Sequence, residues 1–532
     1  MRIHPQLRGS FRAGLAAVAL SSIGLGPAQA AGTLVVGMTA GNIPVTTGNP
    51  DQGFEGYRFV GYNLYDSLAL WDLSKSDKPS DILPGLATGW QIDPANPNRW
   101  IVKLRPGVKY HDGCAFSADD VVWNFQFRMD QKSPNFFAQQ FAYTRSFLTN
   151  VKSVEKVDDM TVAFETNFVE SLFPYSLSYV MMVSQCRLKA LNSDWSAYAM
   201  QPSGTGPYKF DKMVLNQRLE LVPNTDYWNK NRIPKQDRLV LIPMPEASTR
   251  TAALLSGQVN WIEAPSPDAI PRLKNAGMKI VTNVYPHHWP YMLNHKRGPF
   301  TDLRVRQAAN LAINRADMVE MLGGTAMEDH AIVPPTVAYY GNPPKYAFDP
   351  VKARALLKEA GCLPCKVTFG ISTSGSGQMQ PLPMNELVKA QMDAAGFEVT
   401  IQTMDWNALL DVYRAGVEKF PNYDGLNFSR GLLDPVNAII KQASKLYWAP
   451  AGPNWGHYAH PDGEKLVEKI FHEFDPAKQL ALLIELHELL GREAMMIFVV
   501  HDLNPRAMSP KVQGFVQAQS WFQDLTTISV AP

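Results

Sequence analysis

Four cysteines, Cys114, Cys186, Cys362 and Cys365, are the residues best equipped for covalent chemistry, and an even count in an oxidising compartment points to disulfides. Cys362-Leu363-Pro364-Cys365 has the spacing of a redox pair. It follows Gly361 at the end of a predicted helix and lacks the flanks of a dithiol active site, so a structural turn disulfide is expected there. Cys114 and Cys186 pair only if the fold brings them together. His111-Asp112-Gly113 looks like half of a catalytic pair, but adjacency in sequence carries no triad geometry, and a loop before a helix accounts for it. Asp119 and Asp120 fall in the first turn of that helix, where acids complement the helix dipole. His287 and His288 are adjacent on a predicted strand and point to opposite faces. They are not expected to share a metal, although one of them can reach a cleft. The sequence contains no G-x-S-x-G elbow, H-E-x-x-H helix or P-loop, and the glycine pair Gly204 and Gly206 lacks the Lys-Ser/Thr of a phosphate loop. No enzyme, cofactor or metal site is expected.

Strand-like segments alternate with capped helices, the pattern of an α/β protein built on mixed sheets. Leu34 to Met38, Trp100 to Leu104, Arg218 to Val222, Leu239 to Ile242 and Lys279 to Thr282 are predicted strands. Lys152 to Val157 and Met160 to Phe164, joined across Asp158-Asp159, are a predicted hairpin. Ser117 and Asp120 form a capping-box pattern ahead of Val121, Val122, Phe125 and Met129. Asp349-Pro350 and Asp475-Pro476 each supply a cap and a first-turn proline to a helix. Gly204 and Gly206 suit a tight turn that runs close to other backbone. Asp302 caps a helix whose Val305, Ala308, Ala309 and Ala312 make a small-residue face, with Arg304 and Arg306 solvated or salt-bridged beside it.

The first thirty residues carry Arg2, Arg8 and Arg12, an apolar run from Ala13 to Leu25, and Ala28-Gln29-Ala30, the pattern of a secretory signal cut after about Ala30. The apolar run falls short of the ~20 residues that cross a bilayer. Periplasmic export is expected. Removing residues 1–30, with three arginines and no acids, takes the formal charge from +1 to −2, a balance that argues against nucleic acid or anionic lipid as partner. A remaining chain of this length with 45% apolar residues exceeds what one core organises, so two or more lobes are expected.

Six segments, taken in order, resemble the extracellular solute-binding proteins of the dipeptide and oligopeptide class. They are Trp100 to Phe125, Gly204 to Phe210, Asn224 to Lys230, Thr249 to Glu263, Pro299 to Arg315 and Phe348 to Gly361. The resemblance implies a two-lobed periplasmic-binding-protein fold, class II and cluster C-like, with an extra subdomain and a ligand cleft between lobes. It implies lobe I over 31–290 with the extra subdomain at about 71–202, lobe II over 291–498, and a return to lobe I over 499–532. The hinge crossings are expected near Tyr291 to Asn294 and Val499 to Asn504.

In peptide-binding members of that family, an Asp a few residues before an Asp-Pro step receives the peptide's ammonium. The matching stretch here is Leu426 to Pro435. Gly431 stands three before Asp434, with Arg430 beside it, so the expected carboxylate is absent. A cation there suits an acidic ligand better than a free ammonium, unless Asp434 or Asp424 takes the role. Arg430 as a loop arginine facing solvent or paired with Asp434 is the plainer account. The candidate ligand-binding set is Phe54, Glu55, Tyr57, Trp289, Trp406, Asn427, Ser429, Arg430 and Asp434. Phe54, Glu55 and Tyr57 come from the Gly53 to Tyr57 loop, which matches a family loop at the cleft floor. Trp406 opens a helix where relatives place an aromatic, and Trp448 and Trp455 flank a Pro450 to Pro453 loop as lid or surface aromatics.

The function so implied is capture of a small solute, a peptide, a peptide-like or an acidic compound, by a monomeric component of an ABC importer. Its partners would be the permease and ATPase complex at the inner membrane, and nucleic acid would not be one. The alternatives on the same fold are a nickel, metal-chelate or haem carrier and a periplasmic chaperone or chemosensory adaptor.

Overall fold

The computed structural model describes residues 32–52 and 54–532. The expected signal segment and its cleavage site, and Gly53 of the cleft-floor loop, lie outside the described residues. Among the described residues no helix is long and apolar enough to cross a membrane.

Three principal sheets organise the chain. The first has seven strands in the order Lys279–Val281, Arg506–Met508, Trp261–Glu263, Thr33–Met38, Arg238–Pro243, Arg218–Pro223, Tyr208–Val214. Thr33–Met38 runs parallel to its two neighbours, and the outer strands are antiparallel. The second sheet runs Ala326–Glu328, Met496–Asp502, His287–Leu293, Gly425–Asn427, Cys365–Ser372, Phe397–Met404, with the short strand Arg430–Gly431 added against His287–His288. Each sheet anchors one lobe with its own apolar core. A third, antiparallel sheet of four strands, Ala87–Asp93, Asn96–Leu104, Thr161–Thr166 and Val151–Asp158, has a separate core around Val102, Phe125 and Phe164. The predicted hairpin is its edge pair.

Local chemistry sets the element ends as the sequence suggested. Asp120 Oδ2 accepts the Ser117 backbone N–H at 3.0 Å at the start of Ala118–Met129. Asp349 accepts from Lys352 N, Asp475 from Ala477 N and Lys478 N, and Asp302 from Arg304 N, each filling orphan donors of a first helical turn. Gly204 and Gly206 pass so close to Leu64 that a Cβ would sit 2.0 and 2.5 Å from its backbone. Val305, Ala308, Ala309 and Ala312 are buried in the second lobe. Arg304 pairs with Asp302 at the surface, while Arg306 is buried against Glu493 at 3.1 Å. Both cysteine pairs are disulfides, with Cα atoms 6.6 Å apart for Cys114–Cys186 and 4.6 Å for Cys362–Cys365.

The first crossing between lobes lies upstream of the expected Tyr291 to Asn294, while the return overlaps the end of the expected Val499 to Asn504. His287–Leu293 and Met496–Asp502 belong wholly to the second sheet, so the chain passes between sheets at 282–286 and 503–505, and Tyr291 to Asn294 is not a hinge. Pro290 lies inside the strand His287–Leu293. It has no N–H for the ladder, and the register shifts between Trp289 and Tyr291 to accommodate it. The two crossings lie side by side, with Asn283 N donating to Leu503 O at 3.0 Å and Tyr285 Oη to Asp502 Oδ2 at 2.9 Å.

Candidate functional site

Two wide helical turns bring chain to the boundary between the lobes. Gly56–Gly61 follows Glu55 in the first lobe, and Val436–Ile440 follows Asp434-Pro435 in the second, both in the π conformation that tends to occur at functional sites. Direct contacts join the lobes around them. Tyr179 Oη donates to Asp434 Oδ2, Ser376 Oγ to Glu55 Oε1, Lys441 Nζ to Ser146 O at 2.7 Å, and an Arg145 guanidinium nitrogen to Pro450 O at 2.6 Å.

Within this ring of contacts lies a chamber of about 200 Å³. Its first-lobe wall is aromatic: Phe147 stacks on Tyr179 at 4.3 Å, with Phe54 5.9 Å from Phe147. The second-lobe wall is a three-ring stack, Phe428 between Trp406 at 5.3 Å and Tyr413 at 4.3 Å. The Pro450 to Pro453 loop and Trp521 complete the enclosure, and the polar non-aromatic side chains are Ser146, Ser376, Ser429, Asn437, His287, Arg145, Arg414 and Arg430. No described carboxylate lines it.

Arg430 sits on the strand opposite His288 and is 8% exposed. Its Nη2 donates to Asn437 O at 3.1 Å, and its Nη1 has no partner. Burial lowers its pKa from the usual arginine range. His287 packs against both Tyr285 and Trp521, 5.3 and 5.0 Å away. Burial, then the neighbouring His288, Arg58 and His501, hold its pKa well below the ordinary histidine value, so it is a neutral donor and acceptor.

A second space of about 940 Å³ adjoins the first and shares Ser376, Trp406, Arg414 and Trp521 with it. Acids line it: Asp51, Glu55, Glu246, Glu263, Asp405, Asp411 and Asp502. Most are already engaged. Glu263 pairs with Arg58 and with Arg506 at 3.3 Å, Glu55 with Arg58 at 3.2 Å, and Asp405 caps the helix Trp406–Ala415. Asp502 Oδ1 accepts Asn504 N at 2.7 Å. Burial pushes the Glu55 carboxyl up against the pull of Arg58, and burial raises Asp502 to about 6.

The expected site residues therefore divide. Phe54, Trp406, Ser429 and Arg430 line the small chamber, and Glu55 lines the large one. Tyr57, Trp289, Asn427 and Asp434 line neither. Tyr57 is core, its hydroxyl donating to Tyr179 O. Trp289 is fully buried in the second-lobe core, 5.7 Å from Tyr291, because every residue of that central strand is covered. Its neighbour His287 reaches the chamber instead. Asn427 is spent on Asn385 and Pro290 O. Asp434 is spent on Tyr179, Asn437 N and Asn437 Nδ2, so it neither pairs with Arg430 nor faces a ligand. Asp424, the other substitute carboxylate, accepts Thr368 N within the second lobe. Trp448 stacks on His457 and Trp455 is buried, so only the loop between them reaches the chamber. Phe147, Tyr179, Ser376, Tyr413, Asn437 and Trp521 were missed, and only the neighbouring Phe428 stood in a stretch that the sequence marked. Asp112, Cys114 and Cys186 come together as a metal site would, but the disulfide leaves no thiolate to bind one.

With this geometry in hand, known proteins are informative. The model for bacterial extracellular solute-binding proteins, family 5 middle region, matches residues 81–430. Di/tripeptide-binding protein 4 of Pseudomonas aeruginosa is 28% identical, covering 93% of this chain and 96% of its own. Heme-binding protein A of Haemophilus influenzae is 27% identical over 85% and 84%. Among solved structures, the periplasmic binding protein DppA from Helicobacter pylori with peptide STSA superposes with a TM-score of 0.79 at 24% identity, over 95% of this chain and 99% of that one. With the family model covering well over half of its length, this chain belongs to the bacterial extracellular solute-binding proteins of family 5.

Proposed function

We propose that this chain is the solute-capturing component of an ABC importer, exported to the periplasm by residues 1–30 and cut after about Ala30. It works as a monomer, binds no nucleic acid, and hands its solute unchanged to permease and ATPase subunits at the inner membrane. The observation that carries this is the small chamber whose walls come from both lobes. A solute inside touches Phe147 and Tyr179 on one side and Trp406, Phe428 and Arg430 on the other. Only the joined arrangement makes both sets of contacts, so binding shifts the population towards it. A membrane complex that recognises the joined form then takes loaded protein in preference to empty. Relatives named for binding di- and tripeptides, glutathione and haem support a solute of modest size.

The test is to purify the protein from its own host, identify any bound molecule by native mass spectrometry, and remove it by mild denaturation. Small-angle scattering then follows its return. Re-addition should lower the radius of gyration and raise the melting temperature, and the molecule should be recovered chemically intact. A chain whose compactness no solute alters is not a component of this kind.

A further inference from the structure

We infer that the small chamber takes the carboxylate end of a flat, apolar organic acid that carries no free ammonium at that end, with Arg430 as its counter-ion. This rests on the chamber being the solute site proposed above, and it commits that site to one ligand chemistry.

The argument begins with how the buried arginines are satisfied. Arg58 lies between Glu55 and Glu263, Arg506 meets Glu263 and Gln523, and Arg306 meets Glu493. Arg250 and Arg315, without ion pairs, donate to four and five backbone carbonyls respectively. Arg128 donates to two carbonyls and the Asn124 amide oxygen. Arg430 has one backbone acceptor, Asn437 O, and among the described residues no carboxylate lies within 4.0 Å of it. A buried charge left without a counter-charge is costly, and proteins retain one where something else supplies the missing partner.

The surroundings say what that partner is. No carboxylate lines the chamber, and the nearby Asp434 has its oxygens occupied by Tyr179 and Asn437. An ammonium entering would meet Arg430 with nothing to offset the repulsion. A carboxylate meets a planar donor fork, with the Ser429 hydroxyl and the His287 ring on the same wall. The aromatic part of the lining is dominated by two stacks, Phe147 on Tyr179 and Trp406 on Phe428 on Tyr413, which favour a flat apolar body between them.

The experiment titrates the solute-free mature chain with 3-phenylpropanoate, with 3-phenylpropylammonium, and with the dipeptide alanyl-phenylalanine, by calorimetry. The wild type should bind the carboxylate and not the ammonium, a comparison that needs no variant. Arg430→Gln should weaken the carboxylate by roughly ten- to a hundredfold, and Arg430→Lys by less. Melting of Arg430→Gln should be unchanged or higher, because a buried unpaired charge has gone, whereas loss of a merely structural arginine would lower it. Binding of the ammonium overturns the inference, as does a dipeptide that binds wild type and Arg430→Gln alike. So does failure of both phenyl probes in a chain that still compacts on its native solute. In each of those cases solute capture itself stands. If no molecule compacts the chain, the importer reading has failed instead.

Discussion

The two chambers of the cleft share a wall at Ser376, Trp406, Arg414 and Trp521, yet their charges are settled in opposite ways. Glu55, Arg58 and Glu263 of the large chamber form, with Arg506, a chain of buried ion pairs, each member 1–2% exposed. Cross-strand pairing of Glu263 with Arg506 builds it into the first sheet. In the small chamber one buried cation waits beside aromatic rings. The difference teaches that charge lining a cleft is not itself a binding signal. Charges already matched belong to the architecture, and a charge left unmatched is where a ligand contributes free energy.

Removing a matched charge gives the largest expected effect. Glu263→Ala leaves Arg506 without its carboxylate and Arg58 with only Glu55, and breaking a buried pair in this way costs about 3–5 kcal/mol. Urea unfolding should read that loss, while affinity for the native solute should change no more than a few-fold. A tenfold loss of affinity with stability intact would reverse the assignment of the two chambers.

Acidity separates the chambers next. Burial lifts the Asp502 carboxyl from 3.8 to about 6. Its folded-state pKa lies above the unfolded one, so the stabilisation from holding its proton is fully present below pH 3.8 and is lost as pH rises through about 6. The shift sets an upper limit of about 3 kcal/mol on that loss. Asp502→Asn should flatten this part of the stability profile between pH 4 and 7. Asp502 lines the large chamber only, so solute affinity between pH 5.5 and 7.5 should stay flat in both proteins. Affinity that falls in step with Asp502 ionisation would place the ligand's charge on the wrong side of the shared wall.

Sequence disclosed the parts of this molecule that are decided within a few residues. The Ser117–Asp120 pair, the Asp-Pro starts at 349 and 475, the glycines at 204 and 206, and the Cys362–Cys365 turn all follow from short-range sterics and hydrogen bonding. The strand at His287 and His288 was expected, but its continuation through Leu293 was not, because Pro290 interrupts its pattern and a bulge absorbs the proline. Trp289 was offered to the ligand, whereas of that strand His287 lines the small chamber. Cys114 and Cys186, separated by 72 residues, could be matched only by the fold. The same holds for the chamber. Arg430 stood out because an expected carboxylate was missing, but its isolation depends on Asp434 being taken by Tyr179, a residue 255 positions away. Phe147, Ser376 and Trp521 reach the cleft from three distant segments, and nothing in their local sequence distinguishes them from core residues.

Trp406 stands on the shared wall and offers the finest test. Its indole is half-buried, stacks on Phe428 at 5.3 Å and faces both chambers. Truncation to Ala opens the wall on one side of the flat body proposed for the ligand but leaves Phe428 stacked on Tyr413. An aromatic contact of this sort is worth about 0.5–1.5 kcal/mol beyond area, so affinity should fall about tenfold. The melting temperature should fall little, because the ring is not sealed in the lobe's core. Trp406→Phe should recover most of the affinity. If calorimetry instead finds binding intact and melting sharply lowered, the indole is a core residue that happens to border the cleft, and the aromatic wall reduces to Phe428 and Tyr413.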